Sequence, residues 1–269
     1  MRFAYSTIKS LRDFQVPINK VSDKLANKLI PFYSDRITQI LSKQFVPVKK
    51  VITFNRSEKI FKIPGSPVIK VLGLYYNMPN TYTSDLSRTL LDEKDYRVNG
   101  NTLTLYLNIP SRAYLELECI VGNLDNQKEV EVQLNTSITT GTEEFEVEDA
   151  SELDERDVLV IENRCFIINE INYDTNMIFI DKQQSMRTID EGEKVICYGQ
   201  VPLSIEHAVN LFISNHKMLT KQFGGVIQRE KTEQYEYSLF NNSHGITGIP
   251  EIDKILFSYM ENEIDLFYL

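Results

Sequence analysis

The order of three blocks constrains the fold of this chain most: a helical start, a long β-rich middle and a pair of helices at the end. The closing block carries the clearest pattern, because after Val201-Pro202 six residues recur every three or four positions and so share one helical face. A second helix is predicted to begin at Ile249-Pro250. The two faces consist of Ile205, Val209, Phe212, His216, Leu219 and Phe223 in the first helix, and of Ile252, Ile255, Leu256 and Tyr259 in the second.

Neither closing helix is long enough to bury a core alone, so both must pack on an earlier segment. From Ser22, a candidate N-cap, helical spacing predicts a helix ending near Gln44, with Pro31 causing a kink or starting a second helix. We therefore expect residues 1–47 and 201–269 to form one helical body, in which the closing faces are packed. The apolar positions of the first long helix are Leu25, Leu29, Phe32, Ile37, Ile40 and Leu41.

The β-rich middle divides into a first region, 48–127, and a second module, 128–200. In the first, short apolar runs alternate with turns, Asn99-Gly100 predicts a two-residue hairpin, and the polar stretch 77–94 predicts a long loop. In the second, short strands between polar turns predict a small barrel or sandwich. The expected class is α+β, a helical body with a β-rich insertion of one or two small barrel or sandwich units.

Charge is unevenly distributed along the chain, whose net charge is −9. Residues 1–70 hold 14 Lys/Arg against 4 Asp/Glu, whereas residues 129–162 hold 12 Asp/Glu against one Arg. Two interpretations are open: two solvated surfaces, or complementary faces that set the register between copies or with a partner. The basic residues are dispersed, which argues against tight binding of duplex DNA. The second interpretation assigns an inter-subunit charge face to Glu143, Glu144, Glu146, Asp154 and Asp157.

No pattern in the sequence predicts catalysis, a cofactor or a metal. The spacing of His207 and His216 does not stack them for a shared ion, and the three cysteines lie in apolar runs typical of reduced core residues. The acidic stretch 149–154 lacks the turn glycine of a calcium loop. No phosphate-binding loop, nucleophile elbow, secretion signal or apolar run of about 18 residues is present. We expect a protein that is not an enzyme, lies in no membrane and works where it is made or inside a particle assembled there.

Three stretches carry a resemblance to a known family. The first is a helix that exits through Phe45-Val46-Pro47 and leads to Pro64-Gly65-Ser66-Pro67, with a continuation at 94–105. The second is the strand pattern of 145–153 and 157–162, although 181–186 lacks the arginine-glycine and glycine-threonine signature that usually ends this module. The third is the pair of proline-led closing helices, the later of which ends in a tyrosine, Tyr259.

In this order, the stretches resemble the head-to-tail connector (adaptor) proteins of tailed double-stranded DNA bacteriophages, here with an inserted β domain as in an elaborated adaptor of a crAss-like phage. The resemblance implies a homo-oligomeric ring of about 12 copies at the head–tail junction of the virion, assembled in the host cytoplasm. Its implied partners are the portal protein, tail or further neck-ring proteins, and genome DNA that passes through the lumen without specific binding. The apolar end is expected to lie in a groove of a partner or neighbouring subunit, with packing on the chain's own helices as the alternative, and the family implies that it docks on the portal. The residues of this portal-docking tail are Ile264, Leu266, Phe267, Tyr268 and Leu269.

A second function stays open from the sequence. The chain could be a β-rich binding module of a phage tail or surface protein that recognises a host glycan or protein. That alternative predicts an exposed aromatic groove around Tyr75, Tyr76 and Tyr82 and no ring.

Overall fold

The computed structural model describes residues 4–54, 58–79, 86–108, 113–161, 164–182, 187–216 and 246–260. Within these ranges the chain is a mixed α+β fold, and its paired strands are antiparallel. The α+β class expected from the sequence is confirmed.

Helices lie at the two ends of the described chain and strands lie between them. The first helices are α1 (Ile8–Asp13) and α2 (Asp23–Leu41), and the last are α3 (Leu203–Ser214) and α4 (Pro250–Met260). The strands are β1 (Val48–Phe54), β2 (Ile60–Lys62), β3 (Val68–Pro79), β4 (Leu86–Leu90), β5 (Tyr96–Asn99), β6 (Thr102–Leu105), β7 (Tyr114–Val121), β8 (Val130–Gln133), β9 (Glu144–Glu146), β10 (Asp157–Ile161), β11 (Arg164–Asn172), β12 (Met177–Ile180) and β13 (Lys194–Gln200).

Helix α2 begins where the sequence indicates, because the Ser22 hydroxyl accepts a hydrogen bond from the Leu25 amide. It then runs through Pro31 as one helix, so the expected start of a second helix there is wrong, and the expected kink stays a prediction. Its buried side also differs from the predicted stripe. Leu25 and Phe32 are 36% and 59% exposed, because the core side is set instead by Tyr33, whose ring stacks on Phe212 at 4.9 Å. The buried members are Ala26, Leu29, Ile30, Tyr33, Ser34, Ile37 and Leu41.

Helix α3 ends at Ser214, so the prediction of one helix running to Phe223 is wrong. The side chains of Ser214 and Asn215 both donate to the Leu211 carbonyl at 2.9 Å, and such local bonds compete with continuation of a helix. His216 lies beyond this end and contacts the Tyr33 hydroxyl, 2.9 Å from its Nδ1 atom.

The helices from both ends of the chain share one hydrophobic cluster. Helix α2 packs on α3 and α4, and α1 contacts both α2 and α3. Strands β10 and β13 also contribute residues to this cluster, among them Val158 and Tyr198. Its fully buried helical members include Leu11, Ala26, Ile37, Ile205, Ala208, Val209, Ile252 and Leu256.

The first β unit buries a second cluster between two sheets. Strands in the order β1-β7-β3-β4 form one sheet, and β2-β6-β5 form the other. Along β7 every second residue is buried, as the two-residue period of a strand requires. Its buried side chains are Leu115, Leu117, Cys119 and Val121.

Two hairpins in this unit bear on predictions made from the sequence, the turn near Gly100 and the loop at 77–94. The predicted hairpin is confirmed, but its two-residue loop is Gly100-Asn101 rather than Asn99-Gly100, because Asn99 pairs with Thr102. Gly100 adopts a φ of 54° that favours glycine. The long loop predicted for 77–94 is wrong, because β3 continues to Pro79 and pairs with β4. Strand β4 lies at a sheet edge, where both polar and apolar side chains are tolerated, so its sequence lacks a marked apolar period.

The second β unit is a partly closed barrel around a third cluster. Its strand order is β8-β13-β10-β11-β12-β9. The two edges approach each other, since the Asn135 amide donates to the Glu146 carbonyl and the Glu148 amide to the Gln133 carbonyl, both at 2.9 Å. The interior includes Leu134, Ile138, Phe145, Val147, Leu159, Ile168, Ile178 and Val195. The division of the chain into separate domains at 47, 127 and 200 stays a prediction.

Candidate functional site

A groove of about 690 Å³ lies between the first β unit and the barrel. The β1-β7-β3-β4 sheet contributes the side that does not face its own core, and β10 and β13 contribute the outside of the barrel. Two large apolar side chains are open to solvent there, Val51 at 55% and Leu72 at 40% exposure. The lining residues are Pro47, Val48, Lys49, Val51, Lys70, Leu72, Ile120, Val160, Lys194, Ile196 and Tyr198.

Strand alternation explains why apolar side chains remain in this groove. In β7, Leu117 and Cys119 point into the first β unit, so Ile120 points to the opposite face. In β13, Val195 and Cys197 fill the barrel, which turns Ile196 outward. Outward apolar residues from two adjacent strand systems therefore meet at this place.

Three lysines line the groove, and each forms an ion pair with a glutamate. Lys49 lies 3.7 Å from Glu118, Lys194 lies 2.5 Å from Glu131, and Lys70 pairs with Glu129. The lysine side chains remain between 39% and 69% exposed. Exposed pairs of this kind contribute little to stability, so an incoming carboxylate can compete for these lysines.

Arg88 contacts three residues on the outer face of the β1-β7-β3-β4 sheet. The Arg88 guanidinium lies 3.5 Å from the centre of the Tyr75 ring and pairs with Glu116 and Glu118. Its hydrogen bond holds the pKa of the Glu118 carboxyl below its usual value. The alternative function predicts an exposed aromatic groove that includes Tyr75, but the Arg88 guanidinium covers a face of the Tyr75 ring. Tyr76 is half-buried, and Tyr82 lies outside the described residues.

Of the eight residues predicted to pack the helical body, six lie in the described ranges and two do not. Ile205, Val209, Ile252 and Leu256 are fully buried in the central cluster, and Phe212 is 4% exposed there. The Tyr259 hydroxyl lies 2.7 Å from the Ser204 hydroxyl at the cluster's edge. Leu219 and Phe223 lie outside the described residues.

The predicted inter-subunit charge face is incorrect at Asp157, which is 1% exposed. A carboxylate in this position needs a partner inside the fold, and Lys128 provides one at 2.7 Å. The same lysine lies 2.8 Å from Asp154, which is exposed.

The other predicted members of that face differ in their contacts. Glu143 lies 3.2 Å from Lys182, and Glu146 accepts a hydrogen bond from Asn135. Glu144 is exposed on β9. Part of the negative charge of residues 129–162 is thus neutralised by lysines of the same chain. The exposed acidic residues that extend this surface are Glu148, Asp149 and Glu152.

The thiols of the chain are not activated for chemistry. Burial raises the pKa of Cys165 and Cys197 to about 12 and that of Cys119 to about 11. Thiols of this kind stay protonated at neutral pH and are poor nucleophiles. Among the described residues, no group of three or more His, Cys, Asp or Glu side chains could hold a metal ion.

Comparisons with known proteins add no family to this description: no protein-family model and no curated protein matches the chain. Within the described ranges, no helix is long and apolar enough to cross a membrane. The predicted portal-docking residues, 264–269, lie outside those ranges.

The groove itself was not predicted from the sequence. Its residues come from five strands and the segment before β1, and each looks like an ordinary strand position in isolation. The one available signal is the mixed run at 48–51, where lysine and valine share the face that turns away from the core.

Proposed function

We propose that this chain is a structural neck protein of a tailed double-stranded DNA bacteriophage, which forms a ring that joins the portal to the tail and lines the DNA exit channel. One observation carries the proposal: helices from both ends of the chain pack in a single cluster, and both β units are inserted between them. This is the arrangement that the resemblance to adaptor proteins implies. No catalytic role is part of the proposal.

A closed ring needs two different faces on each copy, because each copy meets its neighbours head to tail. Helix α2 offers one such face, since Leu25 and Phe32 are exposed beside the exposed basic residues Lys24 and Lys28. An apolar and basic helix face of this kind fits a partner that carries carboxylates.

The barrel offers a face of the opposite charge. Glu144 and Glu148 are exposed on and after β9, and Asp149 and Glu152 follow. Opposite charge on two faces steers copies into register and disfavours pairing of like faces. Burial of Leu25 and Phe32 would supply the apolar part of the contact.

The remaining partners follow from the same proposal. The ring would contact the portal through residues 264–269 and tail or further neck proteins on its other side. Genome DNA would pass through the lumen without specific binding, because a wall rich in unpaired Lys and Arg would retain phosphate groups. The protein would then be part of the virion at the head–tail junction.

A charge reversal at the acidic face tests this proposal. The double variant E144K/E148K should form fewer oligomers than the unchanged chain, as measured by light scattering on a sizing column. The loss should be larger at low salt than at high salt, because salt screens charges beyond about 10 Å at 0.1 M.

The double variant E93K/E191K is the matched control, since it makes the same change in net charge at exposed glutamates outside the acidic block. It should assemble as the unchanged chain does. Equal assembly of both variants at every salt concentration would refute the charge-guided ring. A chain that is monomeric under all conditions would favour the β-rich binding module instead.

A further inference from the structure

We propose that the groove between the first β unit and the barrel binds an extended segment of a partner protein, in which apolar residues alternate with Asp or Glu. The inference commits to one class of occupant, a peptide chain with several carboxylates. It is independent of the ring, because none of the residues that line the groove belongs to the two faces assigned to contacts between copies.

The sheet wall of the groove has an apolar centre between two lysines. Ile120 of β7 pairs with Lys49 of β1 on one side and with Lys70 of β3 on the other, so the three residues form one row across adjacent strands. Neighbouring strands lie about 4.8 Å apart, which puts the two lysine backbones about 10 Å apart. A bulge in β3 at Leu72 turns this side chain toward the groove, where it is 40% exposed.

The barrel wall repeats this arrangement. Val160 of β10 pairs directly with Ile196 of β13, and both side chains line the groove. Lys194 lies two residues before Ile196 and therefore on the same face of β13. Each wall thus has apolar side chains at its centre and a cation at its margin.

The charges of the lining select an occupant with several carboxylates. Among the described residues that line the groove, three are lysines and none is acidic. Their ammonium groups bond to three different glutamates outside the lining, which are Glu118, Glu129 and Glu131. Each ammonium carries three donors and can serve a second carboxylate. Because the lysines lie on both walls, one acidic group cannot reach all of them.

The apolar floor supplies the driving force, and the strands favour an extended shape. Val51 and Leu72 are exposed although they are apolar, and covering them removes apolar surface from water. Strand β1, beside the groove, has seven residues and spans about 23 Å. An extended peptide of that length presents every second side chain to one side, so its apolar residues can meet the floor while its carboxylates meet the lysines. A small amphiphile with one headgroup would leave most of the lysines unserved.

Isothermal titration calorimetry of the full chain tests the proposal. The probe is an acetylated and amidated octapeptide of alternating glutamate and leucine, and its Kd should rise with salt. The exposed lysines of the two walls give the variants K49Q and K194Q, each of which should weaken binding about two- to fivefold. L72N should weaken binding about three- to tenfold, because it removes apolar surface from the floor. All three positions are exposed, so the circular dichroism spectrum should stay unaltered.

The matched controls are K59Q and I60N, which make the same changes at exposed positions of β2, outside the groove. Both should bind the peptide as the unchanged chain does, and an octapeptide of alternating lysine and leucine should not bind. The proposal is overturned by the absence of binding at millimolar peptide, by equal binding of the two peptides, or by groove variants that bind as the controls do. Tighter binding of dodecanoate than of the peptide would also overturn it, since the groove would then take a small amphiphile. Self-association of the unchanged chain that L72N abolishes would assign the groove to a second copy instead.

Discussion

Single polar residues link the helices to the barrel through hydrogen bonds. The Asp181 carboxylate, after β12, accepts hydrogen bonds from the Ile8 amide at 2.8 Å and from the Asn169 side chain at 2.9 Å. It thus ties the start of α1 to the barrel. Arg156 acts in the same way, because its guanidinium donates to the buried Glu206 of α3 at 2.9 Å and to the Val201 carbonyl at 3.1 Å.

The Asp181 link makes stability depend on pH. Burial raises the pKa of this carboxyl above its ordinary value of 3.8. The folded state therefore holds the proton more tightly than the unfolded state, and this residue's contribution is fully present below about pH 4 and falls as the pH rises through the folded pKa. Urea unfolding over this range should show the free energy of unfolding of the unchanged chain falling relative to that of Asp181→Asn.

Asp174→Asn is the control for this titration, since Asp174 is exposed in the turn after β11. It should follow the pH dependence of the unchanged chain. A constant difference between the unchanged chain and Asp181→Asn across the range would contradict the assigned role of burial. Sequence reasoning could not identify Asp181, because its surroundings come from α1 and β11, which are distant in the chain.

Secondary-structure elements were predictable where a local rule decides them. The start of α2 at Ser22 and the hairpin after Asn99 follow from side-chain capping and from glycine in a tight turn. Prediction failed at Phe32 because distant contacts decide its position, which depends on the face of α2 that α3 covers. It failed at the end of α3 because the local bonds of Ser214 and Asn215 to the Leu211 carbonyl compete with the helix, and apolar spacing carries no sign of them.

The C-terminal end of α2 yields a prediction at this scale. Ser42 closes the helix with a φ of 53° and a ψ of 25°, a left-handed conformation that glycine adopts without strain. Ser42→Gly should therefore raise the free energy of unfolding, because the left-handed strain that it relieves, about 1–2 kcal/mol, exceeds the cost of the added freedom of glycine in the unfolded chain, about 0.4–1 kcal/mol. Ser42→Val should lower it, because a β-branched side chain is strained there. Chemical denaturation of the two variants checks the order, and a valine variant as stable as the glycine variant would contradict the assigned cap.

At the scale of the whole molecule, three hydrophobic clusters account for the order of blocks along the chain. The outer face of the barrel belongs to the same cluster as the helices, through Val158 and Tyr198. The sequence predicts this order because apolar periodicity changes from helical to strand-like and back. It cannot show that pairs such as Lys128 with Asp157 neutralise part of the acidic block, since such pairs form only in the folded chain.

Assembly into a connector ring is what we propose for the folded unit, and negative-stain microscopy can show such a ring. The purified chain should be imaged alone and after mixing with the portal protein encoded by the same genome. We expect closed rings, or an added layer on the portal, and either image would give the symmetry. Particles that remain single and leave the portal unchanged would rule out the connector ring.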